Sequence, residues 1–168
     1  ALECAYNLTH EMAEIASTAL KSSIECLTAY DKETASAIRE AEDKTDHYED
    51  IIGTYLVKLS THQLNETEGA TASMLLKAIG DFERISDHAV NIVEAAEELN
   101  NKGIRFTDSA KHELQIMMAA LEEVLNITTE AFKTENVRIA SDVEPLEEVI
   151  DTLKDDIRSR HIERVRSG

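Results

Sequence analysis

From the first residues onward, apolar side chains recur at alternating steps of three and four: Ala5, Leu8, Met12, Ile15, Ala19, then Cys26 and Ala29. That average spacing holds side chains on one face of a helix and predicts helix 1 from near Leu2 to Tyr30. Asp31 supplies an N-cap oxygen, and the seam resumes at Ile38, Ala41, Thr45, Tyr48, Ile52, Tyr55 and Leu59, so helix 2 runs to about Ser60. So short a connection makes the two helices antiparallel neighbours. Thr61 to Asn65 is polar and without period. Asn65 with Glu68 then forms a capping-box pair that opens helix 3, whose seam is Leu75, Ala78, Phe82, Ile85, Ala89, Ile92, Ala96 and Leu99. Asn100, Asn101 and Gly103 close it, since Asn and Gly tolerate left-handed backbone.

After the connector Lys102 to Phe106 the pattern starts again. Leu114, Met117, Met118, Leu121, Val124, Leu125 and Phe132 mark helix 4, and Val143, Leu146, Ile150, Leu153 and Ile157 mark helix 5. A shift of 105 positions lays Met12 on Met117, Leu27 on Phe132, Ala35 on Ala140, Glu42 on Glu147 and Asp46 on Asp151, which is an internal repeat. The expected fold is therefore all-α: two antiparallel three-helix-bundle repeats of spectrin-like up-down helices, residues 1–103 and 104–168, the second without its last helix. Pro145 falls in the slot of Glu40, mid-helix in the first copy, so helix 5 is expected to kink or re-nucleate there. The seams that a sixth helix would cover predict self-association into a homo-oligomer.

Composition sharpens this picture. The 34 acidic side chains outnumber the 17 basic ones, and a formal charge of −17 excludes an ordinary nucleic-acid binder, because a phosphate backbone selects basic surface. Aromatics at 4%, five Gly and one Pro remove the turn chemistry of sandwiches and wound sheets. No stretch approaches the ~18 apolar residues of a membrane span, and the N-terminus lacks the order of a signal peptide, so a soluble chain is expected. Cys4 and Cys26 lie on one predicted helix, roughly 33 Å apart along its axis at 1.5 Å per residue, and cannot bridge. They read as small packing residues in a reducing compartment.

The chemistry lies in the carboxylates. Helix 2 carries Glu42 and Asp46 at i, i+4, followed by Glu49, on one face beside the predicted seam; helix 3 repeats the arrangement with Glu83 and Asp87. Folding the hairpin about its loop brings both pairs to about the same level, and Glu147 with Asp151 repeats the spacing in the second copy. Like charges in this arrangement repel, and a hard or borderline cation such as Mg²⁺, Mn²⁺ or iron would relieve them. The plainer alternative is a solvated acidic face. Arg84, between the acids, pairs with Asp81 or Glu83 or meets a phosphate or partner; His88 is expected to face solvent or a core hydrogen bond, and Asn91 a neighbouring helix. The basic tail, Arg158 to Arg166, complements a helix C-terminus or faces an acidic partner.

The run Asp81-Phe82-Glu83-Arg84-Ile85-Ser86-Asp87-His88-Ala89-Val90-Asn91-Ile92 resembles the signature of the PhoU family, phosphate-signalling proteins built from two three-helix repeats with Glu/Asp-x-x-x-Asp motifs. Within it the chain is most similar to the cytoplasmic PhoU-like domain that follows the membrane part of bacterial sodium/phosphate cotransporters. The resemblance implies a non-enzymatic regulatory domain of phosphate transport, working in the cytoplasm at the inner face of the membrane with a transporter domain or a phosphate-sensing partner. It also implies a metal, iron or zinc, held by Glu42, Asp46, Glu83 and Asp87, with Glu147 and Asp151 as half of a second site, and it makes Arg84 a partner contact. Two other functions compete. A ferritin-type di-metal enzyme needs Glu-x-x-His motifs, yet no Glu stands three residues before any of the six histidines. A metal-free helical scaffold for protein interaction differs only in the acidic patch.

Overall fold

A computed structural model describes residues 2–62 and 64–167; Gln63, in the polar connector, lies outside the described residues. Among the described residues there is no strand. The helices are α1 (Leu2–Thr28), α2 (Lys32–Ser60), α3 (Glu66–Asn101), α4 (Asp108–Thr134), the one-turn α5 (Val137–Ala140) and α6 (Val143–Ser167). None is long and apolar enough to cross a membrane. They form two compact units, residues 1–102 and 103–168.

The local signals act where they stand in the chain. Asp31 Oδ2 accepts from the Thr34 N–H at 2.7 Å and caps α2. Asn65 and Glu68 exchange side-chain-to-backbone bonds of 2.9 and 3.0 Å in a complete capping box that starts α3. Gly103, at φ +64°, turns the chain out of α3 in a conformation that costs a Cβ-bearing residue about 1 kcal/mol or more.

In the first unit α1, α2 and α3 all pack on one another. The buried positions run in heptad steps: Ala5, Thr9, Met12, Ala16, Ala19, Ser23 and Cys26 on α1, and Ala72, Leu75, Ile79, Phe82, Ser86, Ala89, Val93 and Ala96 on α3. Small residues fill most of the α1 stripe and half of the α3 stripe. On α2 the buried set is Ala35, Ile38, Thr45, Ile52 and Leu56. This corrects the seam read from sequence: Tyr55 is 38% exposed, while Leu56, one residue on, is fully buried. Aromatic bulk drew the sequence reading to Tyr55, but the heptad register set by Ile38, Thr45 and Ile52 continues to Leu56. One end of the unit is tied by Glu97 on α3, whose carboxylate accepts from Tyr30 Oη at 3.1 Å and Arg39 Nη2 at 2.8 Å. Cys26 is buried in the core as expected; Cys4 is exposed, which corrects its reading as a packing residue.

In the second unit α4 pairs with α6. Pro145 is the third residue of α6, where its missing N–H has no intrahelical acceptor to lose, so the chain re-nucleates after α5 instead of bending one long helix. The N-caps Asp31 and Asn136 stand 105 residues apart, as do the starts of α2 and α5. The Glu113 carboxylate is buried and accepts from Arg164 Nη1 and Nη2 at 2.8 and 2.7 Å, with Arg160 Nη1 at 3.8 Å. This bidentate pair fixes α4 and α6 as antiparallel and holds the Glu113 carboxyl below the usual range. Among the described residues only two apolar ones here, Leu125 and Ala131, are buried.

Candidate functional site

The heptad of α2 explains the acidic face. Between Ile38 and Leu56 the core-facing register passes through positions 42, 45, 49 and 52, so two of its places are held by Glu42 and Glu49. Both are half-buried. The sequence reading placed them beside the seam; the structure puts them in it, on the flank facing α3. On α3, Glu83 is half-buried next to the core residue Phe82, and Asp87 is exposed next to the core residue Ser86. Gly80 lies under Glu49: a Cβ built there would sit 3.4 Å from Glu49 Oε1. The absent side chain leaves the Glu49 carboxylate room to lie against α3.

Electrostatics registers the convergence. Burial raises the Glu42 carboxyl first, and the charges of Asp43, Asp46 and Asp87 add to it. Glu83 is raised by burial and then by Glu49, Asp87, Asp46 and Glu42. The structure therefore brings together Glu42, Asp46, Glu83 and Asp87, and adds Glu49 as a fifth carboxylate. Among the described residues none of the five forms an ion pair within 4.0 Å. Neutralisation is available nearby in this fold, as Arg39 with Glu97 and Lys44 with Glu11 demonstrate, at 2.8 and 3.1 Å. The acids at the α2–α3 face have none.

The convergence is one of charge, not of assembled ligands. Among the described residues no group of three or more His, Cys, Asp or Glu side chains is gathered closely enough to hold a metal ion as it stands. The donor set is all carboxylate oxygen, which suits a hard cation, and Glu42, Asp46, Glu49, Glu83 and Asp87 would be the residues to hold it.

Glu147 and Asp151 are exposed on α6, and Asp151 Oδ1 accepts from Lys154 Nζ at 2.6 Å, an intrahelical pair that occupies the carboxylate. Arg84 is exposed and pairs with neither Asp81 nor Glu83 among the described residues, so its guanidinium stays available. His88 faces solvent, as expected. Asn91 is exposed too and forms no bond to a neighbouring helix among the described residues, which corrects that expectation.

With this geometry established, the chain can be set beside known proteins. The family model described as the PhoU domain matches residues 9–96, just over half of the chain and nearly all of the first unit. The chain belongs to the PhoU domain family. The match covers both helices that carry the acidic face, α2 throughout and α3 as far as residue 96. Among curated proteins the chain is similar to the phosphate-specific transport system accessory protein PhoU homolog 1 of Thermotoga maritima, 28% identical over 166 residues, which covers 94% of this chain and 68% of that protein. No solved structure matches.

Proposed function

We propose that this PhoU-domain chain is a regulatory, non-enzymatic domain in phosphate transport or homeostasis, and that its α2–α3 acidic face is the working surface. The observation that carries the reading is the family match over residues 9–96 together with Glu42 and Glu49 occupying core-register positions of α2 inside that span. A bundle gains nothing in stability from carboxylates at such positions, since desolvation and mutual repulsion both oppose folding. A cation bound between α2 and α3 would offset that cost, with the five carboxylates drawn in as ligands; iron, zinc, magnesium and manganese are the ions to test. The relative's name as a transport accessory protein supports a membrane transporter or a phosphate-sensing partner. In this reading the chain works in the cytoplasm at the inner membrane face, as the domain of a sodium/phosphate cotransporter or bound to one. Exposed, unpaired Arg84 beside the acids is the contact offered to that partner. Glu147 and Asp151 would complete a second site only with carboxylates from elsewhere.

The second reading is a metal-free helical scaffold, which the absence of a ready-gathered ligand group among the described residues favours. Melting curves separate the two. Bound metal stabilises by RT ln(1 + [L]/Kd), about 2.7 kcal/mol at a hundredfold excess. The unsubstituted chain should melt higher with manganese, ferrous or zinc ion than with chelator, and the Asp46→Asn/Asp87→Asn variant should respond little; equal responses remove the metal site. Regulation is tested by phosphate uptake in cells lacking this chain and in cells carrying Arg84→Ala. Uptake that follows external phosphate normally in the deletion strain would overturn the regulatory role.

A further inference from the structure

On the acidic face the two copies of the repeat differ in the sign of one charge. In α2 the residues at i, i+4 and i+7 are Glu42, Asp46 and Glu49; at the 105-residue offset α6 has Glu147, Asp151 and Lys154. In the second copy the reversed charge is engaged directly: Lys154 Nζ donates to Asp151 Oδ1 at 2.6 Å, so the helix neutralises its own acid within one turn. In the first copy Glu49 adds to the repulsion instead. It is half-buried, and of the charges that act on Glu83 its own is the strongest.

The backbone opposite Glu49 is open on that side. A Cβ built at Gly80 would touch Glu49 Oε1 at 3.4 Å, so the missing side chain leaves the flank of the carboxylate free. Only proline is less favourable than glycine inside a helix, yet Gly80 stands in the interior of α3, far from either end. Two residues that each weaken the bundle therefore meet at one contact: a carboxylate in a core-register place of α2 and a glycine within α3. Local stability explains neither. A hard divalent cation explains both, since it is held by several carboxylate oxygens, binds more tightly as charged ligands are added, and needs room beside them. An ammonium at the same place is itself the cation.

Resting on the reading of the α2–α3 face as a cation site, we propose that Glu49, with the bare backbone of Gly80 opposite it, is the residue that makes this face accept a divalent cation. Lys154, in the same place of the second copy, is a built-in counter-ion, so that Glu147 and Asp151 alone hold no metal. One position of the repeat thus sets whether its acids are answered by a metal or by the chain.

Manganese titration calorimetry on the 168-residue chain, with melting curves in chelator, tests this. The unsubstituted chain should bind manganese, and Glu49→Lys, which gives the first copy the pattern of the second, should bind it roughly tenfold or more weakly. In chelator Glu49→Lys should melt higher than the unsubstituted chain, because an ammonium then stands among the carboxylates. Glu49→Gln keeps the size of the side chain, so its binding should fall between the two, and it carries the test if the lysine variant does not fold. Glu42→Gln/Asp46→Asn should leave no residual manganese binding. Binding as tight in Glu49→Gln and Glu49→Lys as in the unsubstituted chain overturns the proposal and leaves the cation reading of the face intact. A lower melting point of folded Glu49→Lys in chelator also overturns it, as it would make Glu49 a structural residue. Undiminished binding in Glu42→Gln/Asp46→Asn would place the metal outside the first copy and overturn it too. No manganese binding by the unsubstituted chain overturns the cation reading itself, and this proposal with it.

Discussion

Met12 and Met117 occupy the same place in the two copies of the repeat, and truncating each to alanine should have unequal consequences. Met12 is fully buried on the α1 stripe, in a unit whose three helices pack on one another. A Met→Ala change at such a site costs about 2–5 kcal/mol, and the absence of exposure places Met12 near the middle of that range, at about 3 kcal/mol. For a unit of this size about 1 kcal/mol moves the melting point roughly 4–8 °C, so the first unit should melt some 12–24 °C lower, by this order-of-magnitude conversion. Met117 is half-buried and already touches water, so its truncation should cost only about 1 kcal/mol. The chain itself provides the assay. There is no Trp, and all four tyrosines, Tyr6, Tyr30, Tyr48 and Tyr55, lie in the first unit. Tyrosine fluorescence during urea or thermal unfolding therefore follows that unit alone, while far-ultraviolet circular dichroism follows both. Met12→Ala should shift the tyrosine transition strongly, and Met117→Ala should leave it in place and move only the remaining dichroism. Equal shifts of the tyrosine signal by the two variants would refute the assignment of a closed core to one unit and an open face to the other.

Two further outcomes follow from the core and the acidic face. Ser86 Oγ is fully buried and has no hydrogen-bond partner among the described residues, whereas the buried Thr45 hydroxyl donates to Glu42 O at 2.9 Å. Ser86→Ala should therefore raise stability by about 1 kcal/mol and Thr45→Val should not, as denaturant midpoints will report; a loss on Ser86→Ala would reveal a bonded hydroxyl. In metal-free buffer, Glu42 and Glu83 have carboxyls raised in the folded state, so they destabilise it above that range and cease to do so once protonated. The melting point should rise as pH falls from neutrality toward the ordinary glutamate value of 4.5. It should then fall as Glu11, Glu97 and Glu113, all lowered by their partners, lose their bonds at lower pH. The Glu42→Gln/Glu83→Gln variant should lack the rise, and an equal rise in both proteins would place its origin outside this face.

The one-dimensional record determined whatever depends on neighbours in the chain. Period, caps and breakers are local: the Asp31 cap, the Asn65–Glu68 box, the left-handed Gly103 and the restart at Pro145 all act within a turn or two, so the helices and their ends were legible. The 105-residue repeat was legible as well, because it is written in the same alphabet twice. The acidic pairs Glu42/Asp46 and Glu83/Asp87 could be placed at one level because a hairpin's register follows from counting residues to its loop. Which face of α2 points inward was decided only by tertiary packing. Tyr48 and Tyr55 offer more apolar area than Glu49 and no less than Leu56, so a reading by hydrophobicity, right at Ile38, Thr45 and Ile52, chose Ala41, Tyr48 and Tyr55 where the true stripe has Glu42, Glu49 and Leu56. The bundle chose the stripe whose small and aliphatic residues fit against α1 and α3, and it accepted Glu42 and Glu49 along with it. Burial, and hence the raised carboxyls of Glu42 and Glu83, exists only where two helices meet. The half-exposure of Met117, Leu121 and Ile150 likewise cannot be read from residues as apolar as their buried counterparts, because what a side chain loses to water depends on the helix packed over it.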